Sequence, residues 1–183
     1  MSEGIATPRT LVGRRAPAFS LDASGDQHTN IYQFRGKWLI LFFYPRDFAD
    51  VCPGDILCFD RRLPAFEALN AEVIGVSTDS AYVHDAWVRT PPAEGGLGEI
   101  HFALGADVTH EVSKAYGVYH EQLGLAMHSL FIIDPEGIVQ YELIHSGSAG
   151  RNVDEVLRVL KAIQDGERCA MPVLHSEPRL HAA

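Results

Sequence analysis

At 183 residues, with 46% hydrophobic and 21% charged side chains, the chain can enclose one substantial core and suits a single domain with a short tail. Its formal net charge of −9, with lysines and arginines scattered, argues against nucleic acid as a partner, since no basic patch offsets the acidic surplus. No apolar run approaches the roughly 20 residues that span a bilayer, residues 1–8 lack the basic and apolar stretches of a signal peptide, and three cysteines fit a reducing cytoplasm better than a secreted disulfide scaffold.

Residues 16–22 alternate and run into the turn-rich Ala23-Ser24-Gly25-Asp26, which predicts an N-terminal hairpin. Residues 37–44 are apolar on both faces, the pattern of a central strand covered from both sides. Pro45 stops that strand. Cys52-Pro53 then opens a helix in which Ile56, Phe59, Leu63, Phe66 and Leu69 recur at helical spacing until Asn70. Residues 72–77 read as a second buried strand, and Asp79-Ser80 as the cap of a helix through Trp87 that stops before Pro91-Pro92. Glu94-Gly95-Gly96-Leu97-Gly98 is predicted as a flexible loop, residues 102–104 as a short strand, and a helix through Val112 and Ala115 ends near Gly117. Residues 130–134 and 138–144 flank the turn signal Pro135-Glu136-Gly137 and predict a second hairpin. The last helix starts at Asn152, with Glu155 completing a capping box and Val153, Val156, Leu157, Leu160 and Ile163 as its buried stripe. The order βαβαβ, then hairpin and helix, predicts an α/β fold with a mixed sheet over residues 11–166, followed by an aperiodic tail at 167–183.

Cys52 carries the chemistry. The unpaired N–H groups and positive dipole end of a helix starting there stabilise a thiolate. A free thiol of pKa about 8.5 is only a few per cent ionised at neutral pH, so this placement makes a nucleophile, with a buried inert thiol as the competing reading. Cys58, nearly two turns on, is assigned to the packed face of the helix. The nine histidines show no zinc-type spacing, so neither a metal nor a haem site is expected, and no cofactor.

The segment Phe42-Phe43-Tyr44-Pro45-Arg46-Asp47-Phe48-Ala49-Asp50-Val51-Cys52-Pro53-Gly54-Asp55-Ile56 resembles the active-site segment of typical 2-Cys peroxiredoxins. The likeness continues in unbroken order through residues 76–80, Ala86-Trp87, residues 94–98, 107–110, 113–118, 130–134 and 150–155, and spans about residues 11–169. It implies a thioredoxin-like fold and a thiol peroxidase without a cofactor, in which Cys52 attacks the O–O bond of hydrogen peroxide or an organic hydroperoxide and becomes a sulfenic acid. Cys169 is similar to the resolving cysteine that the family supplies from the tail of a second subunit, the alternative being an incidental tail thiol. The resulting disulfide would be reduced by a thioredoxin-like protein or a flavoprotein reductase, and the family pattern implies a homodimer, often assembled into a decameric ring. Arg151 matches a family arginine that ties the active-site loop to the subunit. Asp55 stands where the family has glutamate, one methylene longer, so an Asp55–Arg151 link competes with a plain surface ion pair worth under about 1 kcal/mol. Tyr44, Phe48 and Trp87 are expected to shape the pocket by packing.

Three positions depart from the pattern. The family motif Pro-x-x-x-Thr/Ser-x-x-Cys keeps Pro45 and Cys52, but its hydroxyl position is Ala49. The family arginine before the Leu-Phe-Ile-Ile-Asp strand is His128, and Asp50 puts a carboxylate two residues from the thiol. A lost donor at a developing anion costs roughly 10²-fold or more. His128 donates through one nitrogen while neutral and carries charge only below a pKa near 6.5. Asp50 would raise the thiol pKa if it faced it, and Arg46 is a candidate to compensate. The residues therefore predict a weakened, pH-dependent peroxidase; the alternative is a catalytically degenerate descendant acting as a redox-sensitive chaperone, sensor or regulatory assembly. The loop at 94–98 resembles one of two family features linked to over-oxidation sensitivity. The other, a C-terminal helix with Tyr-Phe, is absent from the sequence after Cys169, so resistance to over-oxidation is expected.

Overall fold

The computed structural model describes residues 10–49, 52–145 and 150–166, and of Cys52 the backbone alone. The chain runs through β1 (Ser20–Ala23), β2 (Gln27–Asn30), β3 (Trp38–Phe43), α1 (Cys52–Ala68), β4 (Ala71–Ser77), α2 (Ala81–Arg89) and β5 (Leu104–Ala106). It continues through α3 (Glu111–Ala115), β6 (Tyr119–His120), β7 (Leu125–Ala126), β8 (Ser129–Ile133), β9 (Val139–Ile144) and α4 (Val153–Gln164). Seven strands form one mixed sheet in the order β2-β1-β5-β4-β3-β8-β9, with β3, β4 and β5 parallel and the remaining pairings antiparallel. The α/β fold with a central mixed sheet flanked by helices, and the N-terminal hairpin, are as expected.

The doubly apolar pattern of β3 explains why this strand is central. Ile40 and Phe42, with Tyr44 just beyond, join Ile56, Phe59 and Phe66 of α1, Trp87 of α2 and Val156 and Leu160 of α4 in one core. Leu39, Leu41 and Phe43 point the other way, to Phe19, Val112 of α3 and Tyr116. Period-two alternation thus feeds two cores from one strand. Phe42 stacks on Phe59 with ring centroids 4.7 Å apart, and Gly75 of β4 leaves the room, since a Cβ there would come within 2.7 Å of the Phe42 ring. No helix among the described residues is long and apolar enough to cross a membrane.

Local expectations shifted where other partners outcompeted the helix caps. Asn152 caps α4 by accepting from the Glu155 N–H at 3.1 Å, but the Glu155 carboxylate turns to Arg158 at 2.7 Å, so only half of the expected capping box forms. The substitution Asn152→Ala is expected to cost about 1 kcal/mol in denaturant unfolding. Ser80 precedes α2 without a side-chain cap, because Asp79 is drawn instead to the Asp47 N–H and the Ser77 hydroxyl, both at 2.8 Å. The short strand expected at 102–104 falls at β5, two residues later. The loop expected to be flexible is knitted to α2: a 3-10 turn at Pro92–Glu94 is followed by Leu97 N–H donating to Trp87 O and Gly98 N–H to Thr90 O, both at 3.0 Å. The small hairpin β6–β7 has only two residues per strand and carries no periodicity to read.

Candidate active site

The end of β3, the start of α1, the start of β8 and the end of β9 meet at one margin of the sheet. Phe43 pairs with Ser129, and Ser129 pairs with Ile144, so these termini line up in register. Cys52 is the first residue of α1, and its position at a 17-residue helix N-terminus is the one the chemistry of a thiolate requires. Its side chain, Asp50, and Cys169 with the rest of residues 167–183 lie outside the described residues.

Arg151 organises this margin. Its Nη1 donates to Asp55 Oδ2 at 3.1 Å, as does its own backbone N–H, and its Nη2 donates to Phe43 O and to Ser129 O. The Arg151 side chain is 1% exposed and that of Asp55 10%. The shorter Asp55 therefore reaches, and the surface ion-pair reading is set aside: this is a buried pair. Reach is supplied by the backbone, because Gly150 lets the carboxylate approach to where a Cβ would stand 2.6 Å from Oδ1. The guanidinium lies over the Phe42 ring at 5.1 Å. One planar fork thus joins the first turn of α1 to the ends of β3 and β8.

His128, immediately before β8, is buried, and its ring stacks on His145 with centroids 5.5 Å apart and planes 3° from parallel. Burial first, then the Arg151 charge and His145, push the His128 pKa down to about 4. Burial and Arg151 likewise lower His145, with Asp55 opposing. The expectation of a charge switch near pH 6.5 is thereby corrected: at neutral pH His128 is an uncharged imidazole, unlike the arginine whose position it takes. Its titration adds nothing to a rate profile between about pH 5.5 and 8.5. Stability responds instead. With a folded pKa of about 4, below the unfolded value of 6.5, the folded state binds fewer protons, so its stability is full above pH 6.5 and declines as pH falls toward 4. Urea midpoints at pH 7.5 and 5 should show a loss on the order of 1–2 kcal/mol, reduced in His128→Gln.

A second polar cluster, not foreseen from the sequence, underlies the loop leading to Cys52. Asp47, half the loop away from the thiol, accepts from the Tyr44 hydroxyl at 2.9 Å and meets His84 Nδ1 at 2.7 Å. His84 Nε2 donates to Gly105 O at 3.2 Å, and the His84 and Asp47 side chains are 0% and 1% exposed. The Gly105 carbonyl only accepts, so Nε2 is the nitrogen that donates to it. Burial and Asp47 hold the Tyr44 pKa well above its usual range, keeping the hydroxyl a donor. His84 could have been noticed as an ionisable residue three before Trp87 on the apolar face of α2.

The aromatic residues pack on one another. Trp87 packs on Tyr44 at 6.1 Å and on the half-exposed Phe48 at 5.8 Å, and its Nε1 donates to Gly95 O. Phe48 sits at φ 54°, a left-handed conformation that costs a bulky residue roughly 1–2 kcal/mol. Pro45 and Ala49 are half-buried and Arg46 is exposed, the last with no contact to the loop's carboxylates among the described residues. Cys58 is not simply core: half-buried, its Sγ accepts from Arg61 Nη2 at 3.0 Å beside a cleft of about 340 Å³ that Arg62 and Arg151 also line. Among the described residues no group of three or more histidine, cysteine, aspartate and glutamate side chains could hold a metal ion.

A model of the AhpC/TSA family matches residues 12–142. A putative peroxiredoxin in the rubredoxin operon of Clostridium pasteurianum is 46% identical over 166 residues, covering 88% of this chain and 93% of that protein. The chloroplastic 2-Cys peroxiredoxin BAS1 of Hordeum vulgare is also 46% identical, over 84% of this chain and 75% of its own. Among solved structures, the reduced 2-Cys peroxiredoxin of Plasmodium vivax matches with a TM-score of 0.82 at 42% identity, over 86% of this chain and 83% of that one. AhpC of Mycobacterium tuberculosis matches with a TM-score of 0.78 at 36% identity, over 89% and 98%.

Proposed function

The chain belongs to the AhpC/TSA family, and from that premise we propose that it reduces hydrogen peroxide or organic hydroperoxides through Cys52. It is a peroxiredoxin-type thiol peroxidase. The observation that carries the residue assignment is the start of α1 at Cys52, beside a buried Arg151 whose fork clamps that first helical turn to the ends of β3 and β8. A cation tied to the first turn of α1 and the N-terminus of that helix both favour a thiolate there over the thiol. The thiolate attacks one peroxide oxygen, the O–O bond breaks, and the leaving oxygen takes a proton to depart as water or alcohol, leaving Cys52 as sulfenic acid. Cys169 from a second copy then displaces water to form the Cys52–Cys169 disulfide, and a thioredoxin-like or flavoprotein dithiol returns both cysteines to thiols.

In this reading residues 11–166 form the peroxidase domain and 167–183 the tail that carries the resolving thiol, in a cytoplasmic homodimer able to build a decameric ring. The position of β9 at one margin of the sheet, with Ile144 exposed, supports pairing between copies. Ala49 and the uncharged His128 support a rate below that of a site holding both a hydroxyl and a guanidinium. The same two residues favour the second reading, a degenerate peroxiredoxin acting as a redox-sensitive chaperone, sensor or regulatory assembly.

The discriminating measurement is the second-order rate of thiol oxidation by hydrogen peroxide, with Cys52→Ser and Cys58→Ser as controls. The peroxidase reading requires a rate well above that of free cysteine, lost in Cys52→Ser and kept in Cys58→Ser. A rate equal to the free thiol selects the second reading. Non-reducing electrophoresis after peroxide should show a dimer that disappears in Cys169→Ser; monomer alone would contradict the intersubunit disulfide.

A further inference from the structure

We propose that His145 joins His128 as a paired-imidazole site that orients the hydroperoxide, one ring donating a hydrogen bond to it and the other accepting one. The inference rests on the peroxidase reading and adds to it a residue and a mode of substrate recognition. Ser129 pairs with Ile144 at the end of the β8–β9 ladder, and the His145 N–H donates to His128 O at 3.1 Å just beyond, so the two histidines are cross-strand neighbours. Counting by twos from Leu130 and Ile132 on one strand and from Tyr141 and Leu143 on the other puts both rings on the sheet face covered by α1 and α4. That is the face on which Cys52 begins α1, and Arg151 and Asp55 are the charged groups felt by the pair from the neighbouring elements.

The rings lie parallel, and the buried Nδ1 of each has no hydrogen-bond partner among the described residues. Two such nitrogens on stacked rings are costly to leave without partners, and a ligand that engages both removes that cost. An uncharged imidazole has one N–H and one bare nitrogen, so a pair offers both a donor and an acceptor. A hydroperoxide presents the complement: its O–H donates and its oxygens accept. A guanidinium in this place could only donate. The pair therefore selects a neutral hydroperoxide by matched hydrogen bonds where a cation would act by charge.

The test uses the full-length protein with His145→Phe, which keeps a flat ring but removes both nitrogens, and His145→Gln, which restores a donor and an acceptor. Two rates are measured at Cys52: oxidation by hydrogen peroxide and alkylation by iodoacetamide, the latter reading thiol reactivity without a peroxide. The expected result is a peroxide rate lowered about tenfold or more in His145→Phe and largely recovered in His145→Gln, with alkylation unchanged in both. Two rates that fall together would make His145 a structural support for the thiol and overturn the proposal, as would an unchanged peroxide rate in His145→Phe. A wild-type peroxide rate no better than free cysteine would instead sink the peroxidase reading itself, and the pair's role with it.

Discussion

Replacing Arg151 by methionine lowers the stability of the fold by about 3–5 kcal/mol, because it strands a largely buried Asp55 carboxylate and removes the donors serving Phe43 O and Ser129 O. Methionine keeps the volume, so the loss reports polar groups rather than a cavity. Arg151→Lys should recover little of it, since a single ammonium cannot hold one carboxylate and two strand-end carbonyls as a planar fork does. The check is guanidinium unfolding at fixed protein concentration, needed because assembly would raise the apparent stability. The double variant Arg151→Met with Asp55→Leu should be less damaged than the sum of the two single changes. Additivity would show that the pair is not coupled. Peroxide reactivity of Cys52 should fall in Arg151→Lys as well, through the loosened first turn of α1.

The second large effect belongs to Asp47 and His84. His84→Leu is expected to cost about 3–5 kcal/mol, as it leaves Asp47 enclosed with only the Tyr44 hydroxyl and the Gly105 carbonyl without its donor. Asp47→Asn, which preserves shape and still accepts from Tyr44, should cost less but keep a clear penalty for the weakened His84 contact. Because Asp47 lies in the stretch between β3 and α1, both variants should also make that stretch more susceptible to proteolysis than the core. A fall in midpoint with an unchanged denaturant slope is the expected signature. A midpoint shift under about 1 kcal/mol in His84→Leu would mean that the cluster is dispensable.

Much of the frame was legible along the chain because it depends on short-range periodicity. The two-faced run of β3, the stripe of α1 and the turn between β8 and β9 each follow from which neighbours share a face. Cys52 at a helix start could be read the same way, and the ordered motif matches supplied the family and the Arg151 position. What periodicity could not supply was pairing between residues distant in sequence. Asp55 and Arg151 are 96 residues apart, and whether the shorter carboxylate reaches was decided by the close approach at Gly150. His84 looked like one polar residue on a helix until α2 brought it against Asp47, 37 residues away.

The amino-acid sequence by itself determined a mixed α/β fold, a thiol at the head of a helix, and the absence of the expected hydroxyl at Ala49 and guanidinium at His128. Those are matters of residue identity and local pattern. Only the tertiary structure decided that His128 titrates far below neutral pH, that it is paired with His145, and that the Arg151 ion pair is buried. Protonation and the worth of an ion pair depend on desolvation and on nearby charges, and those are set by which distant segments fold against one another.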